Sequence, residues 1–319
     1  MPSHNEMVRA VRIALCVAAI LIGAQAAPLR GQTTGGPAEV VTTLAFTEAP
    51  AQAPDGTLYF TDLPSQRIMR VGRDGLQSTY RTNSNVANGL LFDGEGRLLA
   101  CEGGSVVRPG INLTGRPRVT RTDMATGRVE VLVESGQGVT LVGPNDLTMD
   151  SRGTVYFTDF PGSGVYRIDG PGKVTQLLNP KTVNRPNGIQ ISPDDSTLYL
   201  VETGVGDEPR RMVRSYRIRP DGSLERQRIH HGFFTADGMS IDVQGNLYVS
   251  GGKEHAFPGA PMRVGIFVVA PDGSERGFYP LPVNFTTNNG FGGPDMKTLY
   301  IAGGDMIFRV RTDVAGLPR

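Results

Sequence analysis

One short pattern occurs six times along the chain, and this repetition constrains the fold more than any other feature. Each copy has an apolar strand, a turn and a second strand, and the second strands begin at Leu58, Leu98, Val155, Leu198, Leu247 and Leu299. The spacing of 40 to 57 residues between these starts is typical of a four-stranded propeller blade. After most copies come a third strand and a turn such as Asp221-Gly222, as in a meander. The sequence therefore predicts an all-β, six-bladed β-propeller with four antiparallel strands per blade.

The last repeat lacks a fourth strand, because the chain ends soon after its third strand at residues 307–310. An alternating β segment at residues 39–46 precedes the first repeat. Filling the vacancy with this segment would remove an exposed sheet edge. We therefore predict that an N-terminal strand closes the ring and that residues 39–319 form one domain.

The N-terminus has the features of an export signal. Arg9 and Arg12 precede an apolar run at residues 13–22, and Ala24-Gln25-Ala26 follows it as a small-x-small cleavage pattern. A transmembrane anchor is the alternative, but the run is shorter than the roughly 20 residues that span a bilayer. We interpret residues 1–26 as a signal peptide and the Gly-, Thr- and Pro-rich residues 27–38 as a flexible tether. The expected protein is periplasmic or extracellular, with no membrane anchor after cleavage.

Composition excludes several classes of function. Lys and Arg number 32 against 31 Asp and Glu, and a neutral surface argues against nucleic acid as a partner. Cys101 alone would remain after cleavage, so an internal disulfide is excluded. No Gly-x-Ser-x-Gly motif occurs, and a serine hydrolase is therefore unsupported.

Polar, oxygen-bearing residues precede the second strands at a nearly constant distance. Counting back ten residues, or eleven in the fourth repeat, gives Glu48, Asn88, Asn145, Asn187, Asp237 and Asn289. Because the first strand of each blade lines the central channel, we expect a ring of these side chains at one end of it. Oxygen ligands of low net charge suit a hard divalent cation, with calcium first and magnesium, manganese or zinc as alternatives. The competing interpretation is that residues followed by Gly simply form turns, which Glu48 does not fit.

Carboxylates also end four of the second strands, at the predicted mouth of the channel. They are Asp62, Glu102, Asp159 and Glu202, and a further candidate, His255, lies in a long loop. We expect the loops at residues 103–117, 204–211 and 251–263 to form a substrate rim to which Glu102, Asp159, Glu202 and His255 contribute. The alternative is that the carboxylates hold neighbouring loops in place.

Several stretches together resemble the gluconolactonase, senescence-marker-protein and luciferin-regenerating-enzyme family. They are ANGLLFDGEGRLLACE from Ala87, RVTRTD from Arg118, GPNDLTMDSRGTVYFTD from Gly143, RPNGIQISPDDSTLYLVET from Arg185, ADGMSIDVQGNLYVS from Ala236 and NNGFGGPDMKTLYIAGG from Asn288. The resemblance, from about Thr43 onward, implies a metal-dependent hydrolase of a small ester such as a sugar lactone. The implied metal ligands match Glu48, Asn187 and Asp237, and Asn145 matches a residue that binds the metal or the substrate.

These expected ligands lead to a predicted mechanism. The metal would polarise the lactone carbonyl. Asp237 or Glu48 would accept the proton of the attacking water, and the amides of Asn145 and Asn187 would donate hydrogen bonds to the substrate.

Two departures from the family pattern fall on the substrate side. Gly103 follows Glu102 where bacterial gluconolactonases commonly have His, and Gly143 stands where animal members have Arg. Two other functions stay open. One is phosphotriester hydrolysis at the same metal with Asp237 as nucleophile, and the other is a non-catalytic, calcium-stabilised binding propeller.

Overall fold

A computed structural model of the chain describes residues 39–44, 46–108, 111–136, 138–203, 211–233, 236–252 and 263–318. The chain divides into two units, Met1–Gln32 and Thr33–Arg319, and all described residues belong to the second. The predicted signal peptide and tether lie outside the described residues. Within the described part of the chain, no helix is long and apolar enough to cross a membrane.

The described residues form six four-stranded antiparallel sheets, which confirms the predicted six-bladed propeller. Blade 1 contains β2 (Thr47–Gln52), β3 (Leu58–Asp62), β4 (Arg67–Val71) and β5 (Gln77–Thr82). Blade 2 contains β6 (Ala87–Phe92), β7 (Leu98–Glu102), β10 (Arg118–Thr122) and β11 (Val129–Glu134), with the hairpin β8 (Val106–Arg108) and β9 (Ile111–Leu113) inserted after β7. Blade 3 contains β12 (Pro144–Met149), β13 (Val155–Asp159), β14 (Gly164–Gly170) and β15 (Lys173–Leu178).

The other three blades follow the same order. Blade 4 contains β16 (Pro186–Ile191), β17 (Thr197–Thr203), β18 (Arg211–Ile218) and β19 (Leu224–Phe233). Blade 5 contains β20 (Met239–Ile241), β21 (Leu247–Gly251), β22 (Gly265–Val269) and β23 (Glu275–Pro280). Blade 6 contains β24 (Asn289–Gly292), β25 (Thr298–Gly303), β26 (Met306–Arg311) and, as its outermost strand, β1 (Glu39–Thr43).

The N-terminal strand closes the ring, as predicted. β1 pairs antiparallel with β26, from Glu39 opposite Arg309 to Thr43 opposite Met306. A salt bridge of 2.7 Å joins Arg309 Nε to Glu39 Oε2. The closing strand ends at Thr43 and is therefore shorter than the predicted segment 39–46.

The hydrophobic core is divided among the interfaces between successive blades and does not form a single central cluster. Every residue of β3, β7, β13 and β21 is buried, because each second strand is covered on both faces by neighbouring sheets. One inter-blade cluster joins Leu99 and Val119 of blade 2 to Leu147 and Phe157 of blade 3. This packing fixes the inner strands, whose side chains line the channel.

The C-terminal segment ties the last two blades together at their hairpin ends. Leu317 N–H donates to Ile241 O at 3.0 Å, and Gly316 N–H donates to Met296 O at 2.8 Å. Val243 N–H donates to Ala315 O at 3.0 Å. This segment therefore joins blades 5 and 6 at their hairpin ends.

Candidate functional site

Four inner strands carry a β-bulge at the same place. The pairing register shifts between Glu48 and Ala51, Ala87 and Leu90, Pro144 and Leu147, and Pro186 and Ile189. A bulge adds one residue to a strand and re-aims its side chains. The bulges begin at or just before predicted ring members: Glu48, Asn88, Asn145 and Asn187. We call this height of the channel the ring level.

Asp237 lies at the ring level of blade 5. Its N–H donates to Ser250 O at 3.0 Å, and Ser250 N–H returns a bond to Gly238 O at 3.0 Å. The side-chain amide of Asn187 donates to Asp237 Oδ1. Two of the predicted metal ligands, from adjacent blades, are thus in contact. Glu48 and Asn187 are buried, whereas Asn88, Asn145 and Asp237 are half-buried.

The sixth ring position was predicted wrongly. Asn289 pairs with Ile301 in blade 6, and the equivalent pair in blade 5 is Met239 with Val249. Asn289 is therefore equivalent to Met239, which lies two residues past the ring-level Asp237. Its amide donates to Tyr248 O and Ser250 Oγ, both at 2.9 Å, inside the interface between blades 5 and 6. Thr287, whose N–H donates to Ala302 O at 3.0 Å, holds the ring level instead. The count failed because the hairpin of blade 6 is longer than that of blade 1.

The glycines that follow the ring residues are required by close packing. A Cβ at Gly188 would lie 2.7 Å from Asp237 O, and one at Gly89 would lie 2.6 Å from Asn145 O. Neither glycine has a positive φ. The alternative that these Asn-Gly pairs simply form turns is therefore wrong for blades 2 and 4, where the pairs lie within inner strands that approach each other closely.

One step below the ring level, a hydrogen bond crosses the channel. Four of the six residues here are Ala or Gly, and the other two are Asp146 of blade 3 and Asn288 of blade 6. Asn288 Nδ2 donates to Asp146 Oδ2 at 3.2 Å. Because the inner strands contact one another in chain order around the ring, blades 3 and 6 lie on opposite sides. We call this pair the crossbar.

The crossbar is buried, with 6% of Asp146 and 5% of Asn288 exposed. Burial raises the pKa of Asp146 to about 7, and the negative charge of Asp237 acts in the same direction. The N–H of Leu147 and the amide of Asn288 oppose this rise. Sequence analysis missed both residues, although each is the large polar residue at a position where the other blades have Ala or Gly.

Below the crossbar, a cavity of about 1310 Å³ occupies the hairpin end of the channel. Its lining includes the crossbar and the inner-strand residues Thr148, Gln190 and Ser240. Thr148 Oγ1 donates to Gln190 Oε1 at 3.2 Å, and Gln190 Nε2 donates to Met239 O at 2.9 Å. The crossbar therefore lies between this lower cavity and the ring level.

Glu102 and Glu202 do not form a substrate rim, which corrects the prediction. Both are buried. Glu102 accepts from Arg81 Nη2 at 2.5 Å, Arg118 Nε at 2.6 Å and Thr120 Oγ1 at 2.8 Å. Glu202 accepts from Arg214 Nε at 3.1 Å and from the Tyr216 hydroxyl at 2.5 Å. Their partners lie on strands, whereas the alternative interpretation expected bonds to neighbouring loops, and Glu102 joins blades 1 and 2 through Arg81.

Asp159 also has an internal role. It accepts the N–H groups of Val142, Gly143 and Gly162 at 2.7, 2.8 and 3.1 Å. Burial raises the pKa of Asp159, and these three donors oppose the rise. The remaining rim candidate, His255, lies outside the described residues, as do residues 204–210 and 253–262 of the predicted rim loops.

The mouth of the channel has a different set of residues, of which only Gly143 was singled out from the sequence as lying on the substrate side. The residue directly before each of the first four inner strands defines what we call the mouth layer: Phe46, Val86, Gly143 and Arg185. Phe46 stacks on Phe285 with ring centroids 5.7 Å apart. On the opposite side, Arg185 Cζ lies 4.4 Å from the centroid of the Phe160 ring.

The ring residues fit a hard cation by their chemistry. Within the described residues no group of three or more His, Cys, Asp and Glu is placed to hold a metal. Glu48 and Asp237 supply carboxylate oxygens, and Asn145 and Asn187 can add amide oxygens. The contact between Asn187 and Asp237 shows that two of these groups reach a common point.

Comparisons with known proteins agree with this architecture. The profile of the SMP-30/Gluconolactonase/LRE-like region matches residues 46–304. The gluconolactonase of Zymomonas mobilis is 27% identical over 88% of this chain and 82% of that protein. The pentonolactonase XacC of Haloferax volcanii is 28% identical over 81% of this chain and 82% of that protein.

Solved structures share the fold. The protein XC5397 of Xanthomonas campestris, described as a gluconolactonase, superposes with a TM-score of 0.71 at 24% identity, covering 90% of this chain and 99% of that one. Regucalcin of Agrobacterium tumefaciens, described as a calcium-binding protein, gives 0.67 at 18% identity, with 90% and 96% covered. The chain belongs to the SMP-30/gluconolactonase/LRE-like family of six-bladed propellers.

Proposed function

We propose that this protein hydrolyses the internal ester of a sugar lactone with one divalent cation, most suitably calcium. The relatives named as a gluconolactonase and a pentonolactonase support the reaction class. The observation that carries the proposal is the contact between Asn187 and Asp237 at the ring level. Glu48 and Asn145 begin bulges at the same height. These four residues would hold the cation.

A bound cation would supply positive charge that polarises the lactone carbonyl. Asp237 accepts a proton from the attacking water while the water oxygen adds to the carbonyl carbon. The C–O bond of the lactone ring then breaks, and the proton passes from Asp237 to the departing alkoxide oxygen. Asn145 and Asn187 each keep an amide N–H to orient substrate oxygens when their carbonyl oxygens face the cation.

The test is a substrate panel assayed with the chain that begins at Ala27. Neutral aldonolactones and a phosphotriester are compared after chelation and after calcium is restored. We expect lactone hydrolysis that chelation abolishes and calcium restores. Faster hydrolysis of the phosphotriester would instead support the alternative enzyme class. A stoichiometric metal without hydrolysis of either substrate would support the binding propeller.

We also propose that this chemistry takes place outside the cytoplasm. The support is the sequence of residues 1–26, which combines Arg9 and Arg12, an apolar run and Ala24-Gln25-Ala26. N-terminal sequencing of the protein recovered from its native host should begin at Ala27. An intact Met1 terminus in the cytoplasmic fraction would contradict export.

A further inference from the structure

Arg185 occupies a defined place in the mouth layer. It directly precedes β16 and lies two residues before Asn187 of the ring level. Its N–H donates to Ser163 Oγ at 3.1 Å, and its φ of 42° is a conformation that non-glycine residues adopt only where their surroundings hold them. The ring of Phe160 lies against the guanidinium, a contact that attracts a cation. The base of this exposed side chain is therefore held at the mouth.

The guanidinium of Arg185 differs from those of the arginines that bind the carboxylates ending the second strands of blades 2 and 4. Arg81 and Arg118 pair with Glu102, and Arg214 pairs with Glu202. Arg185, by contrast, forms no ion pair with any residue that the structure describes. Asp159, the carboxylate that ends the second strand of blade 3, is already satisfied by backbone donors. The exposed guanidinium of Arg185 can therefore bind an anionic group of a ligand.

Gly143, the mouth-layer residue of blade 3, does not supply a positive charge. A Cβ at Gly143 would lie 3.0 Å from Pro161 Cγ and 3.1 Å from Pro161 Cδ, so a larger side chain would require Pro161 to move. Phe46 and Val86, the other members of the mouth layer, are apolar. Of the four, Arg185 alone carries charge, and it is on the blade opposite the Phe46–Phe285 pair.

We propose that Arg185 selects sugar lactones that carry a free carboxylate, such as the monolactone of a sugar diacid. The inference rests on the proposed lactonase function and names the substrate class of that site. A planar guanidinium matches a carboxylate with two parallel hydrogen bonds. The carboxylate binds Arg185 at the mouth while the lactone carbonyl lies at the ring level. Arg185 determines specificity and takes no part in bond breaking.

The experiment compares kcat and KM for two lactones of the same ring size, one with a carboxylate and one neutral. The proteins are the wild type, Arg185→Gln, Arg185→Lys and the control Arg276→Gln. Arg276 is exposed and makes a single long ion pair, 3.9 Å, with Asp272. We expect the wild type to favour the carboxylated lactone by about tenfold in kcat/KM, since the bond is charge-assisted but exposed. Arg185→Gln removes this preference through KM.

The controls separate charge from geometry. Arg185→Lys keeps the charge without the planar fork and should retain part of the preference. Arg276→Gln should behave as the wild type. Added salt should lower the preference of the wild type and leave that of Arg185→Gln unchanged. A phosphorylated lactone tests the kind of anion, and a preference for it over the carboxylated lactone would overturn the carboxylate assignment.

The outcomes distinguish this inference from the proposed function. Hydrolysis of the neutral lactone, with the same selectivity ratio in the wild type and in Arg185→Gln, would refute the role of Arg185 alone. Hydrolysis of neither lactone by the calcium-loaded wild type would refute the lactonase function and this substrate class with it. Thermal unfolding of each variant identifies a loss caused by misfolding, and Arg185→Lys then decides the question.

Discussion

A methyl group added at Gly238 should break the crossbar. A Cβ at this position would lie 2.2 Å from Cγ and Oδ1 of Asn288 and 2.7 Å from its Nδ2. In Gly238→Ala the Asn288 side chain must therefore move. It would lose its bond to Asp146 Oδ2 and the bond of 2.8 Å that its Oδ1 accepts from Asn289 N–H. The new side chain itself meets no backbone strain, because Gly238 does not have a positive φ.

The cost follows from two contributions. When Asp146 is ionised, a hydrogen bond to its buried carboxylate contributes about 1.5–3 kcal/mol to stability, and forcing a packed side chain aside costs about 1–3 kcal/mol. The expected loss is therefore roughly 2.5–6 kcal/mol in the free energy of unfolding. For a domain of this size each kcal/mol lowers Tm by about 2–4 °C. We expect Gly238→Ala to unfold roughly 5–24 °C below the wild type.

A double-mutant cycle provides the assay. Asn288→Ala removes the atoms that the new methyl group would meet, so adding Gly238→Ala to it should cost less than about 1 kcal/mol. Tm and unfolding enthalpy are measured by calorimetry for the wild type, both single variants and the double variant. We expect a coupling of about 2 kcal/mol in favour of the double variant. Additive effects, or an unchanged Tm in Gly238→Ala, would refute the geometry of the crossbar.

Three further predictions concern closure, the thiol and the ring. A chain that begins at Thr47 lacks β1 and should lose its cooperative thermal transition, whereas one that begins at Ala38 should keep it; equal melting curves would contradict ring closure. Cys101 is buried, and burial raises the pKa of its thiol. It should therefore react with a thiol reagent only after denaturation, and labelling of the native protein would contradict this. Asp237→Asn should lower kcat by roughly 10² or more, while Asn88→Ala should cost about 1 kcal/mol of stability with metal affinity kept. Equal losses in both would contradict the assignment of ligands.

The sequence predicted the blades well because each repeat carries its own turn and strand signals. Ring closure could be predicted by counting strands, because the sixth repeat lacked a fourth strand and one extra β segment preceded the first repeat. Five of the six ring residues were located because their blades have hairpins of similar length. Asn289 was misplaced because pairing register, and not distance along the chain, decides which residues share a level.

Contacts between distant parts of the chain could not be predicted. The crossbar joins residues 142 positions apart, and recognising it requires knowing which blades face each other. Glu102 and Glu202 were expected at an open rim, because sequence does not show that arginines of outer strands fold over them. The place of Arg185 beside Phe160 likewise depends on the packing of two adjacent blades.

The pairing of β1 with β26 also determines when the molecule can finish folding. The salt bridge between Glu39 and Arg309 joins residues 270 positions apart, so nearly the whole chain must be available before the sheet of blade 6 is complete. Contacts of such long range make folding slow, and until then β26 presents an open edge that can pair with other chains. A circular permutant that links the two termini and opens a turn in another blade would make this pairing local. It should refold faster than the natural chain order.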